Sequence, residues 1–223
     1  MGFYADHIFP RLMDWTLRGP VHQAEREKAL ESVRGEVLEV GFGTGLNLRH
    51  YPPGVTRLTA IDVAKMLELR VARRIAAAPF PVERARLSGD ELPFPDDRFD
   101  CVVTTLTLCS IRDPVAALRQ IRRVLKPEGT YVFLEHGRSD DVRVARRQDL
   151  FNPLQRLACG CNINRRIGEA RHESIRSRSA CRGRRDRRAT RAFPGPKGLS
   201  DLMERSRAFR STARASGKAG PEW

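Results

Sequence analysis

The strongest chemical signal in this chain is one stretch near its start: Val37-Leu38-Glu39-Val40-Gly41-Phe42-Gly43-Thr44-Gly45. It begins as an apolar run with an acidic residue inside it and ends in three glycines at alternate positions. Such a run, bounded by glycines, fits a buried parallel strand. Gly41, Gly43 and Gly45 then let the backbone turn tightly and approach a ligand with no side chain in the way. Leu46-Asn47-Leu48-Arg49-His50 can begin a helix whose N-terminus faces that ligand, completing the first β-turn-α unit of a nucleotide-binding doubly wound sheet. A carboxylate lies where such a ligand needs one. Asp62, 23 residues beyond Glu39, closes the second strand, R-L-T-A-I-D. At that strand's carboxyl end, beside the glycine loop, an acceptor-only group can take both hydroxyls of a ribose. Asp62 could also cap the helix that follows, but its distance from the glycine loop favours the ribose role.

The glycine spacing sorts the cofactor classes. A dinucleotide fingerprint fails because Leu46 holds the sixth position, and a phosphate loop fails because no Lys follows Gly45. What remains is E-x-G-x-G-x-G, the first motif of class I S-adenosylmethionine (SAM)-dependent methyltransferases, and here the chain resembles that family. Further stretches follow in order. Gly89-Asp90-Glu91-Leu92-Pro93-Phe94 resembles the G-D-x-x-x-L-P-F pattern with a shortened interval between Asp90 and Leu92. L-R-Q-I-R-R-V-L-K-P-E-G-T-Y-V-F-L-E-H ends at Glu135-His136. T-L-T-L-C-S, F-L-E-H and D-L-F-N-P-L-Q-R-L-A-C-G-C-N-I-N-R look like the methyltransferase type 11 family, and within it the small-molecule thiol methyltransferases.

The resemblance covers about residues 1–168. It implies an α/β fold with a Rossmann-like, doubly wound, mostly parallel sheet of the seven-stranded type. It implies SAM as cofactor and a small-molecule methyl acceptor, whether thiol, quinone or lipid-like. Gly41, Gly43 and Gly45 would contact the cofactor through backbone, and Glu39 would orient its amino-acid end. Asp62 would hold the ribose, Asp90 or Glu91 the adenine, and Leu106 and Thr107 would border the methyl group. Glu135 and His136 are the substrate-side, catalytic candidates. His136 can accept a proton from an incoming thiol or orient it, or simply cap the strand end.

The elements that must position these groups are readable. Residues 3–18 suggest an irregular helical face interrupted by Pro10, which can open a new helix, and residues 20–32 a charged helix, together an N-terminal helical cap over residues 1–35. His7, Asp14 and His22 read as exposed helix residues. A helix is expected over 64–78, with Met66 on its apolar side, and a strand over 82–87. A fourth strand starts at Phe99, and Asp113-Pro114 opens a helix. Lys126-Pro127-Glu128-Gly129 turns the chain into the fifth strand, Thr130-Tyr131-Val132-Phe133-Leu134.

Composition adds bounds. A chain of 223 residues can bury a sizeable core. No apolar run reaches the ~18 residues of a membrane span, and the first residues read as neither a signal peptide nor a myristoylation site. A cytoplasmic location is expected. The five cysteines are irregularly spaced, which argues against a disulfide framework. Cys159-Gly160-Cys161 is too close a pair for a structural zinc site, so no metal is expected. Cys101 reads as a buried filler.

The net charge of +14 is uneven: residues 1–150 carry +2 and residues 151–223 carry +12. Residues 169–223 are Arg-rich with no strand pattern, so this tail is expected to be disordered or altered, and the sheet's last two strands missing or disrupted. One reading has the tail bind RNA or anionic surfaces, through counterion release, in a catalytically impaired protein. The favoured one is a change of reading frame near Glu169-Ala170. No obligatory nucleic-acid partner is expected, while peripheral membrane contact is compatible with the charge.

Overall fold

The central strands are apolar on both faces, and the structure buries them on both. The computed structural model describes residues 8–63 and 67–167. Expectations for residues 1–7 (His7 included), for Met66, for the tail 169–223, for its frame change and for the last two strands lie outside the described residues.

Strands β1 (Gly35–Val40), β2 (Val55–Ile61) and β4 (Phe99–Thr105) are buried along most of their length, as parallel strands covered from both sides must be. Among the described strands, the short, largely exposed β3 (Val82–Ala85) lies at one end of the sheet and β5 (Leu125–Leu134) at the other. The order is β3-β2-β1-β4-β5, and every pairing is parallel. The order reverses at β1, which pairs with β2 on one side and β4 on the other. The crevice beyond the carboxyl ends of β1 and β4 is therefore where a doubly wound sheet takes its ligand.

Period-two alternation divides the core. Val37 joins Leu30, Val71 and Phe80 on one face, whereas Leu38 and Val40 join Leu118, Ile121 and Val124 on the other. Each fully buried side chain of this size contributes about 1.5–3 kcal/mol. Helices α1 (Phe9–Thr16) and α2 (Pro20–Leu30) each carry a proline in the first turn, where its missing N–H goes unneeded. Helix α3 (Glu68–Ala76) is shorter than expected and starts after Leu67 at φ 46°. Helix α4 (Pro114–Val124) is capped as its sequence predicts: Asp113 accepts from the amides of Val115 and Ala116 at 3.0 and 2.9 Å. Helix α5 (Val142–Cys159) is capped by Asp141 and ends at Gly160, φ 69°, the left-handed exit that glycine permits. Lys126–Gly129, expected as a turn before the fifth strand, instead lie within β5 as a bulge: Leu125 pairs with Phe99 and Thr130 with Cys101.

One expectation fails. No helix follows the glycine loop; Leu48–His50 make a single 3-10 turn. Pro52 disfavours helical backbone at Tyr51, which sits at φ -69°, ψ 130°. No helix among the described residues is long and apolar enough to cross a membrane.

Candidate active site at the carboxyl edge of the sheet

The glycine loop is tied to its neighbours on both sides. The Gly41 and Phe42 amides donate to the Ile61 carbonyl at 2.9 and 3.1 Å, and the Gly43 amide donates to Asp62 Oδ2 at 2.7 Å. Gly41 has φ 83°, and a Cβ built there would stand 2.1 Å from Thr107 Oγ1. Only glycine lets the loop lie against the end of β4. Gly43, at φ 56°, is the opposite case: a Cβ there would meet nothing within 4 Å. Its backbone faces open space, as a ligand cradle requires. Gly41, Gly43, Asp62 and Thr107 thus converge on the switch between β1 and β4. Gly45 follows at φ 76° against the Phe42 ring.

The opposite rim is strained and braced. Leu106 sits at φ 54°, a left-handed conformation that costs a branched residue about 1–3 kcal/mol. Its amide donates to the Leu134 carbonyl at 2.7 Å. Beneath it, Glu135 accepts from the Thr107 amide at 2.9 and 3.0 Å and from the Leu108 amide at 3.0 Å. Glu135 is 3% exposed; burial raises its pKa and the two amides oppose the rise. The loop after β3 is held by Gly89, whose Cβ would overlap Val40 Cγ1. Asp90 is half-buried and accepts from Ser88 Oγ, whereas Glu91 is exposed. Of that pair, Asp90 is the carboxylate kept against the fold.

Glu39 departs from its expected place. It is 1% exposed, and its oxygens accept from Asn47 Nδ2 and Tyr51 Oη, both at 2.8 Å. Asn47 also donates to Thr105 Oγ1 at 2.8 Å and accepts from Arg26 Nε at 3.0 Å. Glu39 therefore braces the loop from beneath, with both oxygens occupied, rather than facing a cofactor's amino-acid end.

Comparison with known proteins agrees with this geometry. Residues 38–133, from β1 through β5, match the family model described as a methyltransferase domain. Over these residues the chain is similar to that family. The thiol S-methyltransferase TMT1A of Homo sapiens is 35% identical over 150 residues, covering 65% of this chain and 61% of the human protein. The ubiquinone/menaquinone biosynthesis C-methyltransferase UbiE of Pseudomonas savastanoi is 31% identical over 151 residues, 63% of this chain and 59% of that one. The chain thus spans about three fifths of these curated relatives. Among solved structures, the YcgJ protein from Bacillus subtilis superposes with a TM-score of 0.58 at 23% identity, covering 70% of this chain and 66% of its own. That likeness establishes the fold.

Helix α1 is bound to the glycine loop through one carboxylate. Asp14, expected on an exposed helix face, is 1% exposed. It accepts from Thr44 Oγ1 at 2.6 Å, from Arg70 at 2.6 Å, from Arg74 at 2.7 Å and from Arg18. These donors hold its pKa well below the ordinary carboxylate range even though burial pushes the other way. No periodicity announces such a residue, because its partners lie in the glycine loop and α3. His22 behaves as expected and stays half-exposed beside Glu25.

The fold also gathers groups that the sequence scatters. Cys109, His136 and Cys161 come together, their ligand atoms all within 4.8 Å of one another. Hydrogen bonding from the Cys109 thiol and then from His136 lowers the pKa of Cys161, while the same contacts raise those of Cys109 and His136. His136, read as a substrate-side residue, faces two thiols. Cys101 is the buried filler expected of it.

Glu39 gives the domain a pH dependence. Burial pushes its carboxyl from 4.5 up to about 8, against the hydrogen bonds of Tyr51 and Asn47 and the charge of Arg26. The folded state then holds this proton more tightly than the unfolded chain does. Its stabilising contribution is full below about pH 4.5 and is lost as pH rises through about 8. Glu39→Gln, which mimics the neutral acid, is expected to flatten this slope. Urea midpoints at about pH 5 and about pH 9 measure it, and equal wild-type and variant slopes would remove the assignment.

Proposed function

We propose that this chain transfers the methyl group of SAM to a small-molecule acceptor, a thiol in the first instance, with quinone and lipid-like acceptors as the alternatives within the same chemistry. The observation carrying this reading is the convergence of Gly41, Gly43, Asp62 and Thr107 at the switch point of the sheet. The thiol S-methyltransferase and C-methyltransferase activities of the human and Pseudomonas relatives support both acceptor classes. The residues present fit the cofactor: an open backbone face at Gly43, an acceptor-only carboxylate at Asp62 and a half-buried Asp90.

When bound, SAM supplies a methyl group already activated on a sulfonium. The chain's own work is then positioning and exclusion of water. The glycine loop fixes the amino-acid end through backbone, Asp62 takes the ribose hydroxyls and Asp90 the adenine amino group. Leu106 and Thr107 border the methyl, kept rigid by Glu135 from below. Glu135 is in this reading a positioning residue, and Glu39 supports the loop. The proposed setting is cytoplasmic.

Calorimetric titration with SAM tests the reading. Asp62→Ala removes an acceptor of two ribose hydroxyls and is expected to weaken binding about 100-fold. A folded wild-type chain that does not bind SAM would defeat the proposal. Undiminished binding by Asp62→Ala would remove Asp62 from the site. A panel of thiols, quinols and lipid-like acceptors, read by methylated product, then ranks the classes.

A further inference from the structure

We infer that Cys109, His136 and Cys161 form a three-ligand site for a borderline-soft divalent cation, zinc(II) being the natural occupant. The ligands come from three separate stretches: the loop after β4, the carboxyl end of β5 and the segment after α5. Zn–S and Zn–N bonds of about 2.3 and about 2.0 Å place tetrahedral ligand atoms roughly 3.5–3.8 Å apart. The observed trio, with no separation above 4.8 Å, needs only a small contraction to meet that geometry. Two thiols and one imidazole are the donor set of an open zinc centre, in which three protein ligands leave a fourth position for an outside one. The same set selects against magnesium and calcium, which take oxygen. The nearest carboxylate in sequence, Glu135, is occupied by the Thr107 and Leu108 amides.

The surroundings hold these ligands in place. Gln155 Nε2 lies 3.5 Å from Cys161 Sγ, positioned to donate to a thiolate. The Asn162 amide and its Nδ2 donate to the Cys109 carbonyl at 3.0 and 3.2 Å. Arg165 Nη1 donates to the Leu108 carbonyl at 2.6 Å, and the Ile163 amide to Asn152 Oδ1 at 2.9 Å. The two cysteine-bearing segments are thus laced together on both sides of the trio, as outer partners fix metal ligands elsewhere. His136 Nδ1 is buried and has no hydrogen-bond partner among the described residues. A polar atom left so in an interior calls for an explanation, and a metal site supplies one, because either ring nitrogen can face the sulfurs after a ring flip. Both sulfurs are buried, Cys109 at 1% and Cys161 at 8% exposure, which admits a small ion and screens out bulkier reagents. Sequence spacing hid the site: Cys161 has Cys159 beside it, but its partners lie 52 and 25 residues away.

The site does not depend on methyl transfer, since the glycine loop can bind or fail to bind SAM with this trio intact. The test uses the full chain, purified under reductant from zinc-supplemented culture and desalted. Elemental analysis is expected to find one zinc per chain. Titration of the metal-free chain with cobalt(II) is expected to show sulfur-to-cobalt charge transfer and the intense visible bands of a tetrahedral complex, saturating at one equivalent. Cys109→Ser and Cys161→Ser should each abolish that spectrum, and Cys159→Ser should preserve it. Cys161→His retains a ligand, so it should keep the visible bands while losing part of the charge-transfer intensity; this separates loss of a ligand from loss of the fold. A folded wild-type chain with no stoichiometric zinc and no tetrahedral cobalt spectrum overturns the site. So does a spectrum that survives Cys161→Ser or disappears with Cys159→Ser. Recovery of the unreduced chain with a Cys109–Cys161 disulfide and no metal overturns it as well.

Discussion

Gly41→Ala is expected to abolish measurable SAM binding and to lower the stability of the domain by about 2–4 kcal/mol. Two independent costs combine. The backbone at Gly41 has φ 83°, which an L side chain adopts only under strain, and the new Cβ would stand 2.1 Å from Thr107 Oγ1 and 2.3 Å from Thr107 Cγ2. Neither neighbour yields easily. Thr107 is anchored by its amide to Glu135 and by its hydroxyl to the Thr105 carbonyl at 3.1 Å. Relief must come from the loop, and moving it separates the Gly43 amide from Asp62. Pairing Gly41→Ala with Thr107→Gly removes the steric part and leaves the dihedral part. Urea denaturation of the two single variants and the double variant is expected to show partial recovery, and strictly additive losses would mean that the two residues are not in contact.

Glu135→Ala is expected to cost about 3–5 kcal/mol, because it leaves the Thr107 and Leu108 amides without acceptors in a buried setting. Glu135→Gln should be far milder, about 1 kcal/mol, since one side-chain oxygen reaches both amides in the structure, at 2.9 and 3.0 Å. That contrast also separates positioning from acid–base work. A positioning Glu135 lets the glutamine variant keep kcat within about tenfold of wild type, whereas loss of a general base removes about 10²–10⁴-fold. Turnover with a saturating acceptor, measured beside thermal unfolding, decides between them. A folded glutamine variant that has lost a thousandfold in kcat would return Glu135 to the catalytic role that its place at the end of β5 first suggests.

These outcomes depend on features of unequal legibility. The glycine spacing, Asp62 at the end of β2 and the Asp113-Pro114 cap were all readable, because each depends on residues near one another in the chain. A glycine that must adopt positive φ, a carboxylate ending a strand and a side chain accepting from amides two and three residues on are local arrangements. The parallel order of the sheet followed from the same strand–helix alternation. The helix expected after Leu46 was misjudged for a local reason too, since Pro52 outweighs the helix-forming residues before it.

Tertiary structure decided the rest. Glu39 reads as a cofactor contact in sequence, yet alternation along β1 turns it toward Asn47 and Tyr51, where burial raises its pKa. Asp14 lies in a short N-terminal helix, and only the docking of α1 over the loop buries it against Thr44, Arg70 and Arg74. Cys109, His136 and Cys161 have no recognisable spacing; the end of β5 and the return of the chain after α5 bring them together. The sequence by itself determined the fold class and the glycine cradle, because those follow from short-range backbone preferences. Which carboxylates are buried as braces and where the thiols meet depended on side chains 8 to 60 residues apart, whose proximity is set by packing and not by spacing.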